Sequence, residues 1–188
     1  RLGEEIVKEP HPQIGMVFQD ANLLPWRNLI KNILLPFEIK GIKPDDTRIE
    51  NLLERVGLAG FGQKYPRELS GGMQQRASIV RALSFDPSVL LMDEPFASLD
   101  AQTRDLLLVE MQLIWEKTKK TILFVTHNVA EAAVLGTKIA VFSNRPSIIK
   151  KEFENNFPRP RVTEDESLLK LQQDILAELR PEVKKSRG

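Results

Sequence analysis

The 188 residues are 41% hydrophobic, enough for one compact domain with a core and a small attached lobe. Lysine plus arginine, 27, nearly balance aspartate plus glutamate, 26, so the net charge of +1 gives no broad basic footprint and argues against nucleic acid as a main partner. With no cysteine and two histidines, His11 and His127, disulfides and Cys- or His-rich metal sites are excluded. No apolar run approaches the about 20 residues that cross a bilayer, so a soluble, cytosolic chain is expected.

Ile14 to Gln19 reads as a buried strand ending at a polar residue. Leu29 to Leu35 is an apolar helical run expected to stop at Pro36. Ile49, Leu52, Leu53 and Val56 fall at i, i+3, i+4 and i+7, so they predict an amphipathic helix, opened by Pro44, Asp45 and Asp46 and closed by Gly57. From Ser70 to Leu83 a second helix is expected, turned by Asp86-Pro87 into a strand over Val89 to Asp93. Asp100 is positioned to cap a long helix through Leu106, Leu107, Met111, Ile114 and Trp115, and Thr121 to Thr126 follows as a strand. Asn128 with Glu131 resembles a capping box ahead of a helix ended by Gly136. Ile139 to Phe142 reads as a last core strand, Asn144 to Ser147 as a turn, and Ile148 to Phe153 as a hairpin partner. Phe157-Pro158-Arg159-Pro160-Arg161 breaks regular structure, and Leu168, Leu171, Ile175 and Leu179 mark a final helix expected to stop before Pro181. Strands alternating with helices predict an α/β fold, its mostly parallel sheet covered on both faces. Ligand groups then belong at the carboxyl ends of strands, where Gln19, Asp93, Glu94 and His127 stand.

Leu69 to Arg76 read LSGGMQQR. A serine and two glycines opening a helix leave backbone N–H groups unpaired beside the positive end of its dipole, which is a site for phosphate. Ser70 is able to cap its helix and bond a phosphate oxygen, while Gly71 and Gly72 admit close approach. Asp93, ending an apolar strand, suits a carboxylate that holds Mg²⁺ through water, and Glu94 one that orients an attacking water. Taken alone, the pair reads equally as two acids ending a strand. Gln19 offers an amide oxygen to Mg²⁺ or is a solvated loop residue; His127 offers a donor to a γ-phosphate or merely ends a strand.

Together, Met16-Val17-Phe18-Gln19, the LSGGMQQR run, Leu91-Met92-Asp93-Glu94-Pro95 and Phe124-Val125-Thr126-His127 resemble, in this order, the ATP-binding cassette (ABC) ATPases. The resemblance implies a P-loop NTPase-like (RecA-like) core with a small α-helical subdomain. The segments would be 1–19, core ending at the Gln19 loop; 20–68, helical subdomain; 69–145, core with signature, Walker B, D-loop and H-loop; and 146–188, a C-terminal hairpin and helix. It implies ATP and Mg²⁺ as cofactors, with Glu94 and His127 catalytic, Asp93 and Gln19 at the metal, and Ser70, Gly71, Gly72, Gln19 and Asp100 at nucleotide. In the family the glycine corner faces nucleotide held by a second subunit, so a homodimer with two composite sites is implied. Ser98-Leu99-Asp100 matches the loop crossing that interface, although a plain helix cap explains Asp100 equally well. Met73 stands where many members have glutamine. No G-x-x-x-x-G-K-[ST] and no adenine-stacking aromatic occurs in the 188 residues, which begin at Arg1; the expectation is an N-terminal truncation, the fragment alone being a poor binder of ATP and inactive.

Leu23, Leu24, Pro25 and Trp26, just after Gln19, suit contact with a helix of a membrane permease, or equally local packing of the helical lobe. That leader, Leu35-Pro36-Phe37-Glu38 and Pro158-Arg159-Pro160-Arg161 look like the branch importing nitrate, sulfonates and taurine. The resemblance then implies a peripheral protein on the cytoplasmic face of the inner membrane, partnered by permease subunits and indirectly by a substrate-binding protein. Rival readings are a soluble ABC factor of translation or repair, which would carry two cassettes or a long heptad insertion, and a non-hydrolysing regulatory subunit, against which Glu94 and His127 argue.

Overall fold

The structure, a computed structural model, describes residues 2–4, 6–9 and 11–185, with side chains through Pro181. The outer ends of the first and last expected segments, Arg1 and 186–188, lie outside the described residues. The chain forms two compact units: residues 1–104 with 118–125, and residues 105–117 with 126–188.

The first unit is built on a parallel sheet of β1 (Ile14–Val17), β2 (Val89–Asp93) and β3 (Thr121–Val125), in that order. Val17 lies opposite Met92, and Asp93 opposite Val125, so all three strands end together. Helices α1 (Leu29–Lys40) and α2 (Asp46–Arg55) pack on α3 (Gly71–Ser84), which in turn packs on β1. That approach is close: a Cβ on Gly15 would stand 2.8 Å from Pro87 Cγ and 3.1 Å from the Ala82 carbonyl, so the sheet tolerates no side chain there. α4 (Ala101–Thr118) gives its first residues to this unit and 105–117 to the other.

Helix boundaries follow local chemistry in most places. Asp45 accepts the Arg48 N–H at 3.0 Å to start α2, and Gly57, at φ 66°, ends it with its N–H on Glu54 and that of Leu58 on Leu53. The expected stop at Pro36 is not observed. α1 runs through it to Gly41, at φ 63°, where the Ile42 N–H closes on Phe37. A proline removes one intrahelical bond, here to Asn32, and costs about 3 kcal/mol in isolation. Burial of Leu29 and Ile33, and of Phe37 edge-on to Phe85 at 5.3 Å, outweighs it.

The second unit contains α5 (Val129–Leu135), the antiparallel pair β4 (Lys138–Phe142) and β5 (Ile149–Glu154), and α6 (Glu166–Lys185). The expected hairpin forms: β4 pairs antiparallel with β5, in a sheet of its own, and buries only alternate residues, Ile139 and Val141, as a half-exposed strand does. Nor does α6 stop before Pro181, since losing one backbone bond does not prevent later residues from keeping helical dihedrals. The Phe157–Arg161 segment lacks regular structure yet is firmly held. Gln112 accepts the Arg161 N–H at 2.8 Å and donates to its carbonyl at 2.9 Å, while the Arg161 guanidinium takes the carbonyls of Gly136 (2.7 Å), Asn155 (3.0 Å) and Phe157 (2.8 Å). Burial, with Arg159 adding repulsion, lowers that guanidinium to about 10.

Candidate functional site

The glycine corner is assembled from its approach. A 3₁₀ turn over Pro66–Glu68 is fixed by the Tyr65 N–H on the Glu68 carboxylate at 2.8 Å, and buried Leu69 anchors the chain before α3. Ser70 then caps, its Oγ accepting the Met73 N–H at 3.2 Å. Helix geometry leaves the N–H groups of Gly71 and Gly72 without intrahelical acceptors. Gly72 abuts Leu99, whose Cδ2 would be 3.3 Å from an added Cβ, whereas a Cβ on Gly71 would meet nothing within 4 Å beyond its chain neighbours and its own helix backbone, and its φ demands no glycine. Gly71 thus has no internal reason to lack a side chain.

At the strand ends, Asp93 is the last residue of β2 and is exposed; Glu94 follows, half-buried, at φ 44°. That conformation is uncommon outside glycine and costs about 1–3 kcal/mol, so surrounding structure must impose it. The Glu94 N–H bonds the Val125 carbonyl at 2.9 Å, the Ala97 N–H bonds Glu94's own carbonyl, and fully buried Phe96 packs on Phe124 with ring centroids 5.4 Å apart. Gln19, exposed, lies two residues past the end of β1. The structure therefore brings Gln19, Asp93 and Glu94 to one sheet edge and leaves the Ser70 corner tied to Tyr65–Glu68 and Leu99.

Among the described residues no group of three or more His, Asp or Glu stands ready to hold a metal. Magnesium bound through substrate phosphates and waters needs only one or two protein oxygens, and exposed Asp93 with the Gln19 amide fit that demand. Asp100 caps α4: its two oxygens take the Thr103 N–H (2.9 Å) and hydroxyl (2.7 Å), which hold its carboxyl below the ordinary value.

His127 belongs to the second unit and is exposed. Its flanks are rigid: Thr126 accepts the Asn128 N–H at 2.9 Å and donates to Glu131 at 2.6 Å, while Asn128 Oδ1 caps α5 through the Ala130 and Glu131 N–H groups. The expected capping box is thus half realised, Glu131 being turned to Thr126. Leu23 and Leu24 are half-buried, Pro25 is exposed, and Trp26 is 72% exposed.

Sequence reasoning missed the side chains that fasten these parts. Gln74 holds the Pro66 and Leu69 carbonyls, Gln75 that of Phe18, Arg76 that of Val56, and Arg81 those of Ala21 and Asn22. Burial depresses both arginines, for Arg76 against the pull of Asp100. One signal was available: an arginine set among Ile79, Val80, Ala82 and Leu83.

A serine-capped helix end and acids at the carboxyl edge of a parallel sheet belong to an α/β cassette of the P-loop class. The family profile described as ABC transporter matches residues 2–97. An uncharacterised ABC transporter ATP-binding protein of Methanocaldococcus jannaschii is 47% identical over 183 residues, 96% of this chain and 68% of that protein. The aliphatic sulfonates import ATP-binding protein SsuB of Bacillus cereus is 42% identical over 93% of this chain and 68% of its own length; the taurine import ATP-binding protein TauB of Rhizobium johnstonii is 41% identical over 97% and 71%. Among solved structures, a dimeric ATP-binding cassette in a post-hydrolysis state with ADP and Pi superposes with TM-score 0.66 at 31% identity, over 78% of this chain and 64% of that one. The chain belongs to the ABC transporter ATP-binding family. It spans about two thirds of the length of the relatives it matches. No helix among the described residues is long and apolar enough to cross a membrane.

Proposed function

We propose that the chain is the ATP-hydrolysing part of an importer's cassette subunit, which pairs head to tail with a second copy around two ATP molecules. Glu94 orients the water that attacks the γ-phosphorus, His127 donates to the γ-phosphate, and Ser70, Gly71 and Gly72 bond its oxygens from the facing copy, with Asp100 beside them. Mg²⁺, approached by Asp93 through water and by Gln19, supplies neutralising charge on the phosphate oxygens. Residues 20–68 serve as the helical subdomain, set between the core segments 1–19 and 69–145, with 146–188 as the C-terminal hairpin and helix. Exposed Trp26 with Leu23, Leu24 and Pro25 docks a permease helix, placing the subunit peripherally on the cytoplasmic face of the inner membrane. Import of a small sulfonate or taurine-like anion is supported by what the SsuB and TauB relatives are named for, and the proposal extends to a nitrate-like anion and to delivery by a substrate-binding protein.

The observation that carries this reading is Gly71, which nothing in the fold requires to be glycine, at the head of a serine-capped, 14-residue helix. In the full-length protein, Glu94→Gln is expected to lower turnover by about 10²- to 10⁴-fold while ATP-driven pairing, followed by sedimentation, persists. Ser70→Arg is expected to remove both with the monomer still folded. Normal turnover in Glu94→Gln removes that residue from its role, and normal pairing in Ser70→Arg removes the composite site.

A further inference from the structure

The helix that opens at Ser70 also grips the segment leading from Gln19 to Trp26. Gln75, 1% exposed, donates its side-chain amide to the Phe18 carbonyl at 2.9 Å, immediately before Gln19. Six residues along α3, Arg81 donates to the carbonyls of Ala21 (2.9 Å) and Asn22 (2.8 Å), two and three residues after it. Asn22 is held at φ 47°. The next stretch is a turn closed by the Arg27 N–H on the Leu24 carbonyl at 3.1 Å, with Pro25 and Trp26 at its tip. Its Leu24 is clamped from α1 by fully buried Asn32, which accepts the Leu24 N–H at 2.7 Å and donates to the Leu24 and Arg27 carbonyls. One rigid helix therefore has its phosphate-facing end free and both sides of Gln19 tied to its flank, with the Trp26 turn hanging from the same segment.

We propose that Gln75 and Arg81 are positioning residues that transmit displacement of the α3 N-terminus to the Phe18–Trp26 segment, so that the Trp26 turn moves when nucleotide closes the pair. This rests on the reading that the Ser70 corner meets nucleotide across a dimer. Arg81 suits the task because its planar fork spans two successive carbonyls; an ammonium reaches them as a single point. Its bonds go to backbone carbonyls, so the link survives side-chain change in the segment it drives.

The test uses the full-length protein carrying Glu94→Gln, with Trp115 and any tryptophan outside these residues replaced by Phe, so that Trp26 is the reporter. Acrylamide quenching of Trp26 is measured with and without ATP, and pairing is measured separately by sedimentation. The parent is expected to pair with ATP and change its quenching. Arg81→Met is expected to pair at unchanged ATP concentration and lose the quenching change, and Arg81→Lys to keep about half of it; Gln75→Asn, too short to reach Phe18, serves as a milder second variant with a reduced change. A full Trp26 response in both Arg81→Met and Gln75→Asn overturns the link, as does loss of pairing in step with loss of response, which marks a merely structural role. A parent that pairs while Trp26 stays silent overturns the link alone; a parent that does not pair overturns the functional reading and the link with it.

Discussion

Asp86 shows how a single side chain sets a boundary between helix and strand. At φ 55° it turns the chain out of α3, and its carboxylate takes Lys120 at 2.8 Å and Arg48 at 2.7 Å, fastening the ends of β3 and α2 to that turn. The hydrogen bond from Lys120, then the charges of Arg48 and Lys120, hold the carboxyl below its ordinary value against some desolvation. A carboxylate lowered in the folded state stabilises above its unfolded pKa, about 3.9, and that contribution disappears as pH falls through the lower folded value. Asp86 is 59% exposed, so the size is modest, about 0–1 kcal/mol. Asp86→Asn should therefore lower the urea midpoint at neutral pH and converge on the parent below about pH 4; a difference that persists unchanged into acid would show that the ion pairs contribute nothing. Residues whose chemistry is local were legible: Ser70, Asp45, Asp100 and Asn128 all cap as their spacing says, because a cap bonds two or three residues away. Gln75 and Arg81 were not, since their acceptors lie 57 to 60 positions distant and leave no local pattern.

At the scale of elements, the five strands and six α-helices among the described residues were all readable, and the misreadings, of where two helices end, came where tertiary packing overrides a local rule. Pro36 and Pro181 carry the same helix-breaking chemistry, yet α1 and α6 continue because buried neighbours at helical spacing commit the chain, Ile33 and Phe37 on either side of Pro36, and Leu171 with Ile175 before Pro181. The pairing of β4 with β5 was readable, because a short turn between two short runs leaves a hairpin as their nearest partner. Two glycines separate packing from function. Gly136, after α5, has an ordinary φ of −68°, but an added Cβ would lie 2.7 Å from the Ala132 carbonyl and from Ile139 Cγ1. Gly136→Ala should cost about 1–3 kcal/mol of stability by overpacking. Gly71→Ala, with open space before it, should leave the unfolding midpoint within about 0.5 kcal/mol of the parent and weaken ATP-driven pairing. Thermal unfolding with sedimentation decides between them; a Gly71→Ala protein that pairs normally would show that the open space serves no ligand.

At the scale of the molecule, the candidate residues of the first unit fall into two groups: Gln19, Asp93 and Glu94 at the sheet edge, and the Ser70 corner braced against Leu99 and the Tyr65–Glu68 turn. The motifs were visible in the sequence, but which copy of the chain completes which site is not written in any one copy. A net charge of +1 puts no strong self-repulsion in the way of association. Head-to-tail pairing makes a sharp demand on mixtures. A Ser70→Arg copy retains Glu94, and a Glu94→Gln copy retains Ser70, so each alone forms only defective sites. In a mixed pair one site receives Glu94 from the first copy and Ser70 from the second and is whole, while the other carries both lesions. Ser70→Arg copies do not pair with one another, so they enter pairs only against the intact Ser70 of a Glu94→Gln copy, and each mixed pair has one good site of two; mixing the two inactive full-length proteins should therefore restore part of parental turnover, at most about half. The measurement is phosphate release at saturating ATP as one variant is titrated into the other at fixed total protein, with the maximum expected at equal amounts. Activity that stays at the level of the separate variants across the titration would mean that both residues act within one protomer.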